Sequence, residues 1–340
     1  MNVYDALPNV TKSDDTDTPG TTTANITLTE IRIITNRDVN LSQQIGPEII
    51  AWVSTVIATC GLFGNILGAA VLHRMQKTNG NIRLLKYLSL VDIALLILFV
   101  LGATLEYVNT YSAITIYFIF HPFAYLLGMT VYTFEIYLTV LIAIQRCIAI
   151  ALPFKSESLM RASVINTILG CIALFSVAFS VPLWLALRPR PYWKKELNMH
   201  LFYANPATSP LGEEGFTVYI GPVMLVFRCL IPLIILVTCN IILVISRRRM
   251  NSGNPQLSDR GSVQLTILTL AITSKSVLTH VVSALHRLSI AMDFNLPNGH
   301  VIQMIVLLLV VIDFSTNFIF YYAFGNSFLK HLKSCFRSND

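Results

Sequence analysis

The sequence predicts an all-α membrane protein, a seven-transmembrane helix bundle with a short amphipathic eighth helix. Of its 340 residues, 54% are hydrophobic and 12% charged, with a mean hydropathy of +0.64. That is more apolar surface than one soluble core can hide. The surplus is gathered into seven runs, near 47–72, 84–107, 116–152, 164–187, 217–245, 263–292 and 300–324. Each reaches the roughly 20 residues that a helix needs to cross a bilayer. Lipid offers the backbone no hydrogen-bond partners, so runs of this length must be helices and not open sheet.

The segments between the runs, 75–80, 153–158, 188–215, 251–261 and 293–299, read as loops. Lys and Arg near the spans set the orientation, counted without offsetting the acids. Arg74, Lys77, Arg83, Lys86, Arg146, Lys155, Arg161, Arg247, Arg248, Arg249, Arg260, Lys330, Lys333 and Arg337 all fall on the side of the C-terminus, which is therefore expected in the cytoplasm. The pI near 9.0 reflects this inner face and is no sign of nucleic-acid binding. The chain thus divides into a disordered extracellular tail (1–46), the bundle (47–325) and an amphipathic helix with a short cytoplasmic tail (326–340).

The tail is rich in Thr, Asp and Asn and has no apolar core of a signal peptide, so the first span is the expected insertion signal. Its sequons at Asn9, Asn25 and Asn40 predict glycosylation on the outer side. In the first span Gly61, Gly64 and Gly68 let a neighbouring helix approach closely, and Asn65 brings an amide to membrane depth. The second span aligns Asp92, Leu96, Phe99, Ala103 and Glu106. The third aligns His121, Tyr125, Gly128, Tyr132, Glu135, Thr139, Ile142 and Arg146 at steps of three and four, so one face must line the bundle. The fourth carries Pro182, the fifth Arg228 and Pro232, and the sixth Lys275, His286 and Arg287. The seventh carries Gln303 and aligns Asp313, Asn317 and Tyr321. Buried acids cost roughly 2.5–3.5 kcal/mol each on insertion scales, so Asp92, Glu135 and Asp313 are expected to face partners inside. The helical cysteines have the simple role of small packing residues. Cys335, just beyond the last span, sits where a palmitoyl anchor is often placed.

The string Ser315-Thr316-Asn317-Phe318-Ile319-Phe320-Tyr321, continuing to Phe324-Gly325-Asn326-Ser327-Phe328-Leu329-Lys330, is the most specific signal. It resembles the end of the seventh helix in rhodopsin-like peptide receptors, many of which have Asn-Phe-Ile-x-Tyr where the family at large has Asn-Pro-x-x-Tyr. The resemblance covers 47–336, and with Ile231-Pro232-Leu233 and Asn240 its flavour is that of the invertebrate FMRFamide-type neuropeptide receptors. It implies a plasma-membrane G-protein-coupled receptor with an extracellular ligand, a heterotrimeric G protein and lipid as partners, no cofactor and no enzymatic activity. The sequence also departs from the family. Gln145-Arg146-Cys147 stands for Asp/Glu-Arg-Tyr, His121 replaces the outer cysteine of the third helix, the sixth-helix Cys-Trp-x-Pro is missing, and so is the fourth-helix Trp.

By resemblance, Asp92, Glu135, Asp313 and Asn317 surround the family's sodium pocket. Three ionised carboxylates cannot share a dry cavity without a cation, a proton or an internal base, so the cluster is expected either to bind a proton or to use Lys275 as a tethered cation. Nearer the outside, Glu106, Tyr107, Tyr111, His121, Tyr125, Tyr132, Arg228, His286, Arg287 and Gln303 are candidates to line a ligand cavity. Glu106 would accept the guanidinium of a peptide ending in Arg-Phe-amide. Arg146, Arg247, Arg248, Arg249, Pro232 and Tyr321 are expected to serve coupling and activation. Without its neighbouring acid, Arg146 predicts either raised basal activity or a receptor that does not couple.

Other classes fit less well. There is no nucleotide-binding glycine loop and no zinc-type Cys/His spacing. The seventh span holds no lysine for a Schiff base, which excludes a retinal protein. A transporter would share the intramembrane acids, but repeated halves and broken helix pairs are not evident. Within the receptor class, a small-molecule chemoreceptor remains the alternative.

Overall fold

Seven apolar runs become seven helices long enough to cross a membrane, Ile49–Met75, Arg83–Ala103, Phe123–Ala151, Ala162–Ala186, Glu214–Arg248, Val263–Ser289 and Val301–Phe324. The structure is a computed structural model and describes residues 41–76, 82–107, 111–152, 161–186, 190–194, 199–203, 212–252, 260–292, 299–324 and 328–332. The helices are α1 (Leu41–Gln76), α2 (Arg83–Tyr107), α3 (Tyr111–Ala151) and α4 (Ala162–Ala186). They continue with α5 (212–252), α6 (Arg260–Ala291), α7 (Gly299–Ser315) and α8 (Asn317–Phe324), the last two forming the seventh span. Several outrun their hydrophobic runs; α1, for instance, starts six residues before Pro47, inside the segment expected to be disordered.

The bundle closes on itself. α1 packs on both α2 and α7, and α3 is central, touching α2, α4, α5 and α6. Large apolar side chains such as Phe63, Leu174 and Ile234 are exposed around the outside, while Asn65, Asp92, Glu135, Arg228, Asp313 and Asn317 are buried. That inversion suits a lipid-facing exterior.

The 188–215 segment, expected to be only loop, contains an antiparallel hairpin, β1 (Arg190–Lys194) with β2 (Met199–Tyr203), in which Tyr192 faces Leu201 and Trp193 faces His200. Aromatic residues in both strands favour the pairing, and β2 rests against α3. The hairpin marks one end of the bundle. The arginines at the end of α5 mark the other, the basic end.

Two local departures from regular helix position the interior. α5 passes through π-helical turns at Tyr219–Val223 and Leu225–Leu230 before returning to α-helix at Ile231. Pro222 and Pro232 lack the N–H that would continue the i→i−4 ladder, which loosens the turns that precede them. The seventh span breaks at Thr316, where Ile319 and Phe320 N–H both bond to the Thr316 carbonyl. Just before it, the Phe314 carbonyl accepts a bond from Asn65 Nδ2 at 2.8 Å, tying α1 to α7. There a Cβ on Gly61 would stand 2.6 Å from the Ser315 Cα, so only glycine permits this approach.

After α8, residues 328–332 are helical, with Phe328 and Leu332 buried at an i,i+4 spacing. Phe328 packs on Phe318 and Tyr321 at ring-centroid distances of 5.9 and 5.8 Å. This is the portion of the expected eighth helix that lies among the described residues; Cys335, like Asn9, Asn25 and Asn40, lies outside them.

Candidate functional site

The three intramembrane carboxylates are all buried at mid-depth, but each has its own partner. Lys275 Nζ lies 2.6 Å from Asp313 Oδ1 and also donates to the Asp313 main-chain oxygen, so one ammonium pins α6 to α7. Ser276, the next residue, donates to both Asp313 carboxylate oxygens at 3.3 Å. Asp92 Oδ2 accepts from Asn317 Nδ2 at 2.5 Å, joining α2 to α8. Glu135 accepts from Thr139 Oγ1 at 3.0 Å, one turn along its own helix. Lys275, expected to bring a positive charge to the three acids, makes its direct contact with Asp313, the single ion pair found among the described residues. The reason is placement: the lysine and Asp313 face each other across neighbouring helices.

Around Asp92 several oxygens remain without a partner, namely Asp92 Oδ1, Asn65 Oδ1, Ser315 Oγ and Asn317 Oδ1. Oxygen donors of this kind suit a hard monovalent cation, but Asp313 is already neutralised by Lys275. The residues fit the family's sodium only in part. Below them, the Tyr321 hydroxyl meets Ser89 Oγ at 3.3 Å and the Leu85 carbonyl at 3.4 Å.

A second cluster lies toward the hairpin end, between α3, α5 and α6. The π-helical turns of α5 place Arg228 in the interior, 2% exposed, with its guanidinium 4.8 Å from the centre of the Tyr132 ring. Its Nη1 reaches two thioethers, Met129 at 3.7 Å and Met224 at 3.9 Å, while Nε and Nη2 have no partner. Arg287 of α6 enters from the other side, its Nη1 at 3.3 Å from the Ile220 carbonyl and 3.5 Å from the same Met224 sulfur. A desolvated cation–π contact gives about 2 kcal/mol. Burying an unpaired ion costs several kcal/mol, so the aromatic face and the sulfurs leave the charge underbalanced. On α6, His280, Ser283 and Arg287 follow at steps of three and four, and His280 Nε2 and Ser283 Oγ are likewise buried and unpartnered.

Of the residues expected to line a ligand cavity, the structure brings together Tyr132, Arg228 and Arg287. Tyr125 is 43% exposed, on the same face of α3 but nearer the hairpin. His286 is half-buried beside Arg287, its Nδ1 without a partner. Gln303 is exposed on α7 and does not join them. The side chains of Glu106, Tyr107, Tyr111 and His121 lie outside the described residues, as does that of Arg249. Sequence reasoning missed Ser283, His280 and the two methionines, although the three-and-four spacing back from Arg287 was there to be read.

At the basic end Arg146 is buried, 4% exposed, and no carboxylate among the described residues pairs with it. Thr273 Oγ1 donates to Asn240 Oδ1 at 2.5 Å, clasping α6 to α5. Arg247 and Arg248 sit at the end of α5, and Pro232 is buried at the start of its regular α-helical part.

The profile of the family described as serpentine type 7TM GPCR chemoreceptor Srx matches residues 55–323, which takes in both clusters and every spanning helix. The chain belongs to this receptor family. Two relatives are similar to it along most of its length. The FMRFamide receptor of Drosophila melanogaster is 25% identical over 284 residues, covering 80% of this chain and 51% of the relative. The "Probable G-protein coupled receptor frpr-1" of Caenorhabditis elegans is 23% identical over 309 residues, covering 86% and 79%. The chain thus spans about half the length of the Drosophila protein. The receptor is a multi-pass plasma-membrane protein.

Proposed function

We propose that the ligand of this receptor is an extracellular peptide of FMRFamide-like class, bound at the hairpin end, which faces outside. The observation that carries this reading is a change along α3 from open to packed. A Cβ on Gly128 would meet nothing within 4 Å, whereas Glu135, Thr139, Ile142 and Arg146 on the same face are buried. An opening lined by Tyr125 and Tyr132 suits the aromatic end of a peptide. The name of the Drosophila relative points the same way. Arg228 and Arg287 would repel the guanidinium of an Arg-Phe-amide end. That group therefore belongs with Glu106 in the last turn of α2, and the aromatic amide beyond it with the tyrosines.

The basic end then faces the cytoplasm, where Arg146, Arg247, Arg248 and Arg249 meet the G protein and anionic lipid, with Pro232 and Tyr321 at the moving parts. Asn9, Asn25 and Asn40 would carry glycans outside and Cys335 a palmitoyl chain inside. The test is expression of the full chain with a promiscuous G protein and a panel of amidated peptides. A response to a peptide ending in Arg-Phe-amide, reduced at least tenfold in potency by Glu106→Gln at equal surface expression, supports the reading. Silence across the panel with the receptor at the surface, or unchanged potency in the variant, rejects it. A small-molecule ligand is the second reading, favoured by the description of the matching family as chemoreceptors.

A further inference from the structure

We infer that the buried cluster between α3, α5 and α6 takes a carboxylate, held between Arg228 and Arg287. The inference deepens the ligand reading above, since it assumes that the ligand enters from the hairpin end.

Arg287, of the same sign, meets the same Met224 sulfur as Arg228, and no carboxylate among the described residues forms an ion pair with either. A guanidinium buried with a like charge beside it has no reason to stay in the bundle unless an anion comes to it. Geometry supplies the place. Both arginines touch the Met224 sulfur with Nη1, so the two cations are separated by no more than those two contacts together. A carboxylate accepting on both of its oxygens spans such a gap, and the fork of Arg228 still has Nε and Nη2 free to form a bidentate pair. The Tyr132 ring holds the plane of that guanidinium from one side. Ser283 Oγ, unpartnered on the same α6 face as Arg287, adds a hydroxyl donor. His280 lies deeper on that face. Its Nδ1 is 2.7 Å from the Ser276 carbonyl and donates to it, which leaves Nε2 as an acceptor in the neutral ring. Nε2 is therefore suited to a hydroxyl or amide N–H next to the acid and not to the carboxylate itself. The site selects an acid with a donor close by, as in an acidic residue followed by its own peptide N–H or in a hydroxy acid.

The test uses purified full-length receptor in detergent and follows thermal unfolding in disodium succinate against sodium chloride at matched pH, sodium and ionic strength. Succinate should raise the midpoint of the wild type, and neither Arg228→Met nor Arg287→Gln should respond. In chloride alone Arg228→Met should melt above the wild type, because an unpaired buried charge has been replaced by an apolar chain. An arginine with a purely structural role would give the opposite. No succinate shift in the wild type, or the same shift in both variants, overturns the inference.

A signalling arm separates the sources of the acid. Activation by succinate alone, lost at least tenfold in potency in Arg287→Gln, assigns the carboxylate to a free organic acid. Agonism by amidated peptides that falls at least tenfold on replacing Glu by Gln in the peptide, in the wild type but not in Arg287→Gln, assigns it to a peptide side chain. An agonist peptide whose binding is indifferent to saturating succinate and to both arginine substitutions overturns the inference. Succinate stabilisation with silence across the peptide panel keeps the pocket and rejects the peptide reading alone.

Discussion

Replacing Lys275 by Met removes the ammonium 2.6 Å from Asp313 and leaves that carboxylate, 5% exposed, with two long bonds from Ser276 as its remaining support. Breaking a buried pair from one side costs about 3–5 kcal/mol, because the surviving charge stays desolvated. With a shift of about 2 °C per kcal/mol for a chain of this size, the midpoint of thermal unfolding should fall by roughly 6–10 °C. Asp313→Asn should cost a similar amount by stranding the lysine. The double variant Lys275→Met/Asp313→Asn strands neither, and should lose at least about 2 kcal/mol less than the two single losses added together. The measurement is thermal unfolding of the purified receptor for the four members of the cycle, repeated in sodium and in choline chloride. The oxygens around Asp92 can use a small cation once Lys275 no longer neutralises the neighbouring acid, so sodium should stabilise Lys275→Met more than the wild type. Additive losses in the double variant would refute the pairing argument. The same sodium dependence of stability in wild type and Lys275→Met would refute the idea that this lysine stands in for a cation.

Gly61→Ala should destabilise the receptor by about 1–3 kcal/mol through collision with the Ser315 backbone, seen as lost surface expression. Gly128→Ala, with open space where its Cβ would stand, should leave expression unchanged, while Gly128→Phe should lower agonist potency by filling the cavity. Gln145→Glu restores an acid beside the buried Arg146 and should lower ligand-independent G-protein signalling; equal basal signalling at equal expression would sever Arg146 from the resting state. Asn→Gln at 9, 25 and 40 together should abolish the mobility shift produced by glycan removal, and a shift that persists would move the glycans elsewhere.

The spans were legible because an apolar run of this length has one solution in lipid, and the periodicity of α3 and the burial of Asp92, Glu135 and Asp313 followed from the same rule. What stayed illegible depended on neighbours. Nothing local to Lys275 distinguishes Asp313 from Asp92 or Glu135 as its partner; the choice is made by how α6 packs on α7. The hairpin at 190–203 was hidden because short strands with interrupted alternation look like loop until they have something to pair with and α3 to rest on. Pro232 was noted in the fifth span, but nothing in the sequence showed that two π-helical stretches would form before it and carry Arg228 into the interior. Gln303 was expected to line the ligand cavity, and the helix carries it to an exposed face instead.

The distribution of charge inside the bundle gives the two clusters a common logic. Three acids with one ammonium lie at mid-depth, and two guanidiniums without a carboxylate partner among the described residues lie toward the hairpin. Had the interior evolved only for stability, the excess of one cluster would be expected to cancel that of the other. Tyr132 stands one helical turn from Glu135 on α3 and covers the Arg228 guanidinium with its ring, and Met129 and Met224 fill the remaining contacts, so sulfur and aromatic carbon occupy the positions where an oxygen would have closed the pair. The Tyr132 ring also meets Phe314, which follows Asp313 directly on α7, at 5.6 Å. A single aromatic side chain therefore touches Arg228 of the upper cluster and, through Phe314, the segment of α7 that Lys275 holds in the lower one. An anion drawn to Arg228 would shift the guanidinium off the ring, and Tyr132 is the group through which that shift would reach the α6–α7 ion pair.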